Sequence, residues 1–275
     1  MGSIFQTNEP DAGTLDAKTF QRFAELVYAK SGIKLGPQKE ALVQARVRKR
    51  MRQLNLNSYK DYLDLAANDE NGQEIIELLN AIATNVTHFY REERHFHFLA
   101  TVLKQWEKEG QSRFRLWSAA CSTGEEPYSM AITIRETLPA SCDVKILATD
   151  LSTKVLSKAK QGEYQLKNIE KVPRNLLAKY FEKRGEECRV TDSVRHLVRF
   201  ARLNLAKPPF PMKGPLDVVF CRNVMIYFDN DVRRRLLAAI YGLLKPGGYL
   251  MVGHAESLSG QLSEFRSVEP SIYIK

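Results

Sequence analysis

Between residue 17 and about residue 88, apolar side chains recur every three or four positions, the period of short amphipathic helices. Phe20, Phe23, Leu26 and Val27 share one side of a helix expected from Ala17 to Ser31, with Gly32 as its stop. Gly36-Pro37 punctuates before a second helix from about Lys39 to Leu54. There Val43, Val47, Met51 and Leu54 make one stripe, while Arg48, Lys49 and Arg52 point the other way. Arg50 falls beside the stripe and is expected to be partly buried and paired. Ser58 is the expected cap of a third helix, and Asn71-Gly72 breaks the chain before a fourth through Ile75, Ile76, Leu78 and Leu79. No strand pattern precedes residue 110, so this part reads as all-helical.

From about residue 113 the pattern changes to alternating strands and helices. Phe114 to Ser118, Val144 to Thr149, Leu216 to Phe220, Tyr249 to Val252 and Ser271 to Ile274 are the expected strands. Helices are expected at Pro127 to Thr137, at Lys154 to Lys160 behind a Ser152 cap, and at Asp231 to Leu244. The near-continuous apolar run at Leu216 fits a parallel strand buried on both faces. Such alternation implies a doubly wound α/β sheet with ligands at the carboxyl ends of its strands. An excess of about 45 residues between the second and third strands suits an inserted subdomain. Its expected contents are a helix from Pro173 to Phe181 and a hairpin of Cys188 to Thr191 with Leu197 to Ala201.

The layout is therefore a polar leader (1–16), a helical module (17–90) and an α/β domain (91–275) carrying an insert at about 163–201. A chain of 275 residues with 44% hydrophobic and 27% charged residues can bury a sizeable core. No apolar run is long enough to cross a membrane, and the acidic, polar start is unlike a signal peptide. Four cysteines form no CxxC pair, so neither zinc site nor disulfide framework is indicated and a reducing cytoplasm fits. The net charge of +9 lies wholly beyond residue 90. Within the helical module, six basic groups in 41–60 are followed by six acids in 61–79. A basic face of this kind meets nucleic acid, anionic membrane or acidic protein, and charge alone does not choose.

The strongest chemical signal is the strand-to-helix turn WSAACSTGEE. A turn at a helix N-terminus faces its amides toward a ligand, but a single glycine fails the dinucleotide fingerprint. Glu125 and Glu126 make it acidic, which disfavours phosphates and suits a cation such as a sulfonium amino acid. The alternative is two glutamates that favour the helix dipole. Asp150, ending the second strand, stands where an acid reads ribose hydroxyls in Rossmann-like proteins. The five histidines show no ligand spacing beyond His95-x-His97, so no metal is expected.

Taken in order, ATNVTHFYREERHF, WSAACSTGEEPYSMAI, ILATDLS, ARLNL, VVFCRNVMIYFD and LKPGGYLMVGHAES closely resemble the bacterial chemotaxis receptor methyltransferases of the CheR family. The resemblance runs from about residue 17 to the last residue. It implies a helical receptor-recognition domain, a Rossmann-like S-adenosylmethionine domain and a small inserted β-subdomain. Carried over by position, it implies that Asn85, Thr87 and Arg91 contact the cofactor, with Arg91 also near the transfer point. It likewise implies Glu125 near the methionine amino group, Asp150 at the ribose, Asn204-Leu205 beside the adenine and Arg222-Asn223 after the fourth strand. Tyr227 is implied to face the methyl group. Phe89-Tyr90-Arg91-Glu92 departs mildly from the family's FFRE motif.

The implied reaction moves a methyl group from S-adenosylmethionine to receptor glutamates, leaving S-adenosylhomocysteine. It is that of a protein-glutamate O-methyltransferase. A glutamate is ionised at neutral pH, so no general base is required. Arg48, Lys49 and Arg52 are the expected docking face for the acidic cytoplasmic helices of methyl-accepting receptors. The further expectations are a cytoplasmic monomer with no metal, no nucleic-acid partner and no membrane insertion. The insert is expected to be too compact to grip a receptor-tail pentapeptide. Rival readings are a methyltransferase of another acceptor and a scaffold that binds S-adenosylmethionine without turnover.

Overall fold

The computed structural model describes residues 13–82, 86–258 and 264–275. The chain divides into two compact units, Met1–Ala83 and Thr84–Lys275. The boundary thus precedes the expected one at residue 90. Phe89 and Tyr90 explain the difference, because both are anchored in the second unit: Phe89 is fully buried against Tyr164 and Phe181, and the Tyr90 amide donates to Ser129 Oγ at 3.0 Å.

Among the described residues the first unit holds four α-helices: α1 (Ala17–Ser31), α2 (Glu40–Gln53), α3 (Tyr59–Asn68) and α4 (Gln73–Ile82). Asp16 caps α1 by accepting from the Thr19 amide at 2.9 Å, and Gly32 closes it in the left-handed conformation. Phe20, Phe23 and Val27 from α1 and Val43, Val47 and Met51 from α2 are buried, the stripes that periodicity predicted. Arg50 is paired as expected. Its guanidinium forks onto Glu74 at 2.9 and 2.6 Å, and the buried Tyr62 hydroxyl donates to the same carboxylate at 2.8 Å. Arg46 donates to the Ala81 and Ile82 carbonyls, satisfying acceptors at the end of α4 that the helix leaves open.

The second unit begins with α5 (Arg94–Lys108) and continues β1 (Arg113–Ser118), α6 (Glu125–Thr137), β2 (Asp143–Asp150) and α7 (Thr153–Gln161). Then follow β3 (Glu163–Gln165), α8 (Arg174–Tyr180), β4 (Phe181–Arg184), β5 (Glu187–Val190), α9 (Asp192–Arg195) and β6 (Val198–Arg202). The chain ends with β7 (Leu216–Cys221), α10 (Asn230–Leu243), β8 (Leu244–Val252), β9 (Arg266–Glu269) and β10 (Ile272–Ile274). The main sheet has the order β6-β2-β1-β7-β8-β10-β9, parallel through β8 and antiparallel beyond. Strand order reverses direction at β1, so the crevice lies over the carboxyl ends of β1 and β7.

One expected pairing is overturned. Val198–Arg202 does not close a hairpin with Cys188 to Thr191; it runs parallel to β2 as the edge of the main sheet. The insert's own sheet is β3-β5-β4, antiparallel throughout. A short alternating strand looks the same from either sheet, and its pairing is set by residues some fifty positions upstream. β8 also starts earlier than expected, at Leu244, because the Lys245-Pro246-Gly247-Gly248 stretch is a bulge within the strand. Among the described residues no helix is long and apolar enough to cross a membrane.

Candidate functional site

At the carboxyl edge of the sheet, the turn between β1 and α6 is stitched to its neighbours through the backbone. The Ala119 amide donates to Phe220 O and the Cys121 amide to Thr149 O, both at 2.8 Å. The Ser122 amide donates to Asp150 Oδ2 at 2.9 Å, and the Gly124 amide to Cys121 O at 3.0 Å. Gly124 has φ of 99°, and an added Cβ would lie 2.7 Å from the Tyr164 hydroxyl, so only glycine fits. These four amides are engaged within the protein and are not offered to a ligand.

What the turn offers instead is acid. Glu125 and Glu126 both lie in the first turn of α6, and Glu125 is 4% exposed. Burial pushes the Glu125 carboxyl up from its ordinary value, against the Thr123 hydroxyl that donates to it at 2.6 Å. Asp150, the last residue of β2, accepts from Ser122 N on one oxygen and Ser152 N on the other, each at 2.9 Å. Burial raises it too, opposed by those amides. The Ser122 hydroxyl is buried beside this pair with no partner among the described residues. An unpartnered hydroxyl in the same turn as the buried Glu125, and next to the amide that holds half-buried Asp150, suits an amino- and hydroxyl-bearing cation. Burial also pushes the Cys121 thiol well up, which removes it as a nucleophile.

Arg222, just past β7, is buried in this centre and does not face open space. Its Nη1 donates to Glu126 Oε2 at 3.0 Å, its Nη2 lies 3.0 Å from Glu92 Oε2, and Nη2 also donates to the Arg91 carbonyl. Ser118 Oγ completes Glu126 at 2.7 Å. Burial pushes Glu126 up. Burial is the largest influence on Glu92 and acts in the same sense, but the Arg222 guanidinium and His254 together outweigh it and hold that carboxyl below its usual range. One buried cation thereby ties the segment before α5, the start of α6 and the turn after β7 into one unit.

That turn is fixed from a second side. Glu256, 5% exposed, accepts from the amides of Asn223 at 2.5 Å, Gly253 at 2.7 Å and Ile226 at 3.2 Å. A Cβ on Gly253 would sit 2.4 Å from Asn223 Nδ2, so the approach requires glycine. Tyr227 is half-buried at the end of the 3-10 turn Met225–Tyr227. Tyr90, Glu92, Ser122 and Asn223 all have φ near +50°, a left-handed conformation uncommon outside glycine. These outliers surround the same crevice.

A family model described as "CheR methyltransferase, SAM binding domain" matches residues 85–274, and one described as "CheR methyltransferase, all-alpha domain" matches 18–83. The chain belongs to the CheR methyltransferase family. It is 39% identical over 260 residues to chemotaxis protein methyltransferase 2 of Pseudomonas aeruginosa, covering 92% of this chain and 91% of that one. It is 37% identical to the Salmonella typhimurium chemotaxis protein methyltransferase (92% and 88% covered) and 39% identical to that of Escherichia coli K12 (87% and 84%). The larger unit of this CheR family member is thus an S-adenosylmethionine-binding methyltransferase domain, and the smaller its all-helical partner.

Against the residues expected from sequence, the structure groups Glu125, Asp150, Arg222, Asn223 and Tyr227 around the sheet's carboxyl edge. Asn204 and Leu205 follow β6; the Asn204 side chain accepts from the Ala206 amide at 3.0 Å, and Leu205 is buried. Thr87 and Arg91 are half-exposed, with Arg91 Nη1 donating to Val86 O at 2.8 Å. Glu92, next to Arg91 in the chain, pairs with Arg222. Asn85 lies outside the described residues. In the helical unit Lys49 and Arg52 are exposed, whereas Arg48 is half-buried and donates to Gly13 O at 2.8 Å. It therefore departs from the expected outward face, because the chain ahead of α1 returns over it. Sequence reasoning missed Glu92 and Glu256 as members of the site, and missed that Glu126 of the acidic turn pairs with Arg222. All three stand inside the quoted motifs, but nothing local says that they meet one another's partners.

Proposed function

We propose that the protein transfers methyl groups from S-adenosylmethionine to glutamate side chains in the cytoplasmic domains of chemotaxis receptors, forming methyl esters for sensory adaptation. The observation that carries this reading is the turn whose Ala119, Cys121, Ser122 and Gly124 amides are engaged within the fold while its carboxylates remain. Such a site favours a sulfonium amino acid over a pyrophosphate.

When bound, S-adenosylmethionine supplies an electrophilic methyl group whose departure leaves a neutral thioether. Glu125 would hold the methionine amino group and Asp150 the ribose hydroxyls. Thr87, Asn85, Asn204 and Leu205 would complete the cofactor's surroundings. Arg91 would hold the acceptor carboxylate, and Tyr227 would donate a hydrogen bond that orients it. No residue has to remove a proton, since the acceptor is already ionised, and alignment supplies the rate. Arg222 and Asn223 serve as positioning residues that fix the turn bearing Tyr227.

Receptor recognition is assigned to Lys49 and Arg52 of α2 in the helical unit. The insert supports this, because β4 and β5 are joined by only Gly185 and Glu186, a two-residue hairpin with little surface for a receptor-tail peptide. The enzyme is read as a cytoplasmic monomer acting on protein and not on nucleic acid.

Labelled S-adenosylmethionine incubated with receptor-containing membranes tests the reading. Label released as methanol in base is the expected result. A base-stable label would assign an amine acceptor, and no label would leave a binding scaffold. Tyr227→Phe should retain the fold and lose about 2 to 4 kcal/mol of transition-state stabilisation. Full activity in that variant would remove the hydroxyl from the chemistry.

A further inference from the structure

Chain spacing offers His95-x-His97 and no metal-binding pattern, but the fold makes another grouping. Glu92 from the turn before α5, His95 from the first turn of α5 and His254 from the loop after β8 bring one ligand atom each within 4.8 Å of one another. The His95 side chain is 1% exposed, and neither ring nitrogen has a hydrogen-bond partner among the described residues. A buried imidazole with both nitrogens idle is costly unless something else uses them. His95 Nδ1 stands 3.5 Å from Glu92 Oε2, and His254 Nε2 stands 3.8 Å from the same oxygen.

We propose that Glu92, His95 and His254 form a transition-metal site suited to Zn2+. Two imidazoles and a carboxylate match zinc, nickel or copper, whereas magnesium and calcium take oxygen ligands. Ligand atoms around tetrahedral zinc lie about 3.3 Å apart, given Zn–N and Zn–O bonds near 2 Å. The two histidine-to-glutamate separations are already close to this. The His254 side chain is 59% exposed, so it is free to close the third side and leaves an entry path from solvent. The adjacent Arg222 does not forbid a cation, since Glu92 and Glu126 outnumber it in formal charge. A metal on Glu92 would compete with Arg222 and loosen the brace beneath the Asn223 turn.

Calorimetric titration of the chelator-treated full chain with ZnCl2 tests the site without reference to methyl transfer. One equivalent should bind, and His254→Ala should weaken it by at least about tenfold. Co2+ should give visible absorption from a nitrogen- and oxygen-ligated ion, reduced in the same variant. His97→Ala is the control, because exposed His97 and Glu93 form a separate surface pair at 3.5 Å. Unchanged binding in His254→Ala, loss of binding in His97→Ala, or equal competition by Mg2+ would each overturn the assignment. Because His254 is exposed, its variant is expected to fold even if substitution of the buried His95 is not tolerated.

Discussion

Glu256 Oε2 accepts the Asn223 amide at 2.5 Å, so a side chain after β8 sets the backbone that follows β7. The same carboxylate takes the Gly253 and Ile226 amides, and no other described side chain does so. Glu256→Ala should cost on the order of 3 kcal/mol, since buried donors lose their acceptor. Methyl transfer should fall further than stability, because Tyr227 rides on this turn. Denaturant melts and initial rates on the same preparation check it, and a loss of rate no larger than the loss of folded protein would count against the positioning role.

Arg222 and its two glutamates behave as one unit. Arg222→Ala should destabilise by about 3 to 5 kcal/mol, because it leaves two largely buried carboxylates, each 12% exposed, without their cation. The additional change Glu126→Gln should recover part of that loss, as one of the stranded charges is gone. A double-mutant cycle by urea denaturation measures the coupling. Additive losses would mean that the pair does not interact across the 3.0 Å contact.

Glu125→Gln separates binding from stability. The Glu125 carboxyl is raised in the folded state, so the folded protein holds its proton more tightly than the unfolded chain. Stability from this group is therefore present below the ordinary carboxylate pKa and lost as pH rises through the raised value. The variant should gain stability relative to the native protein at pH 7.5 but not at pH 4. S-adenosylmethionine affinity should drop by about 1 to 3 kcal/mol. Chemical melts at both pH values and calorimetry with the cofactor supply the readings; a stability gain equal at the two pH values would contradict the linkage.

Much of this was legible in the sequence, and the residues show why some was not. The helical stripes, the caps at Ser58 and Ser152, and the Arg50 pairing depend on neighbours within a turn or on burial of one face. Strand positions were also readable, since each apolar run is local. The partner of Val198–Arg202 was not, because register is a property of two segments. Asp217 likewise sat unremarked in an apolar run. Its carboxylate is satisfied by the Arg115 amide at 2.6 Å and Lys245 at 2.7 Å, from strands on either side. The Glu92–Arg222–Glu126 brace joins three motifs that each read as something else: an arginine-centred contact, a cofactor residue and a helix-dipole pair.

Lys49 and Arg52 carry the receptor prediction. Reversing both to Glu should slow association with receptor and flatten its dependence on salt, while cofactor affinity stays unchanged. Stopped-flow or surface-based association at two ionic strengths checks this. An unaltered rate at low salt would return the face to solvent.

The turn between β1 and α6 is a connection in sequence, but its amides at Ala119, Cys121, Ser122 and Gly124 are bonded as firmly as those of a strand. Loops usually exchange amide hydrogens quickly and become ordered when a ligand arrives. Here the ordering has been done by folding. Deuterium should enter this turn at the rate of the sheet around it, with little further slowing on cofactor binding. Association would then forgo the entropy loss of settling a mobile loop, and the encounter would be limited by arrival instead of rearrangement.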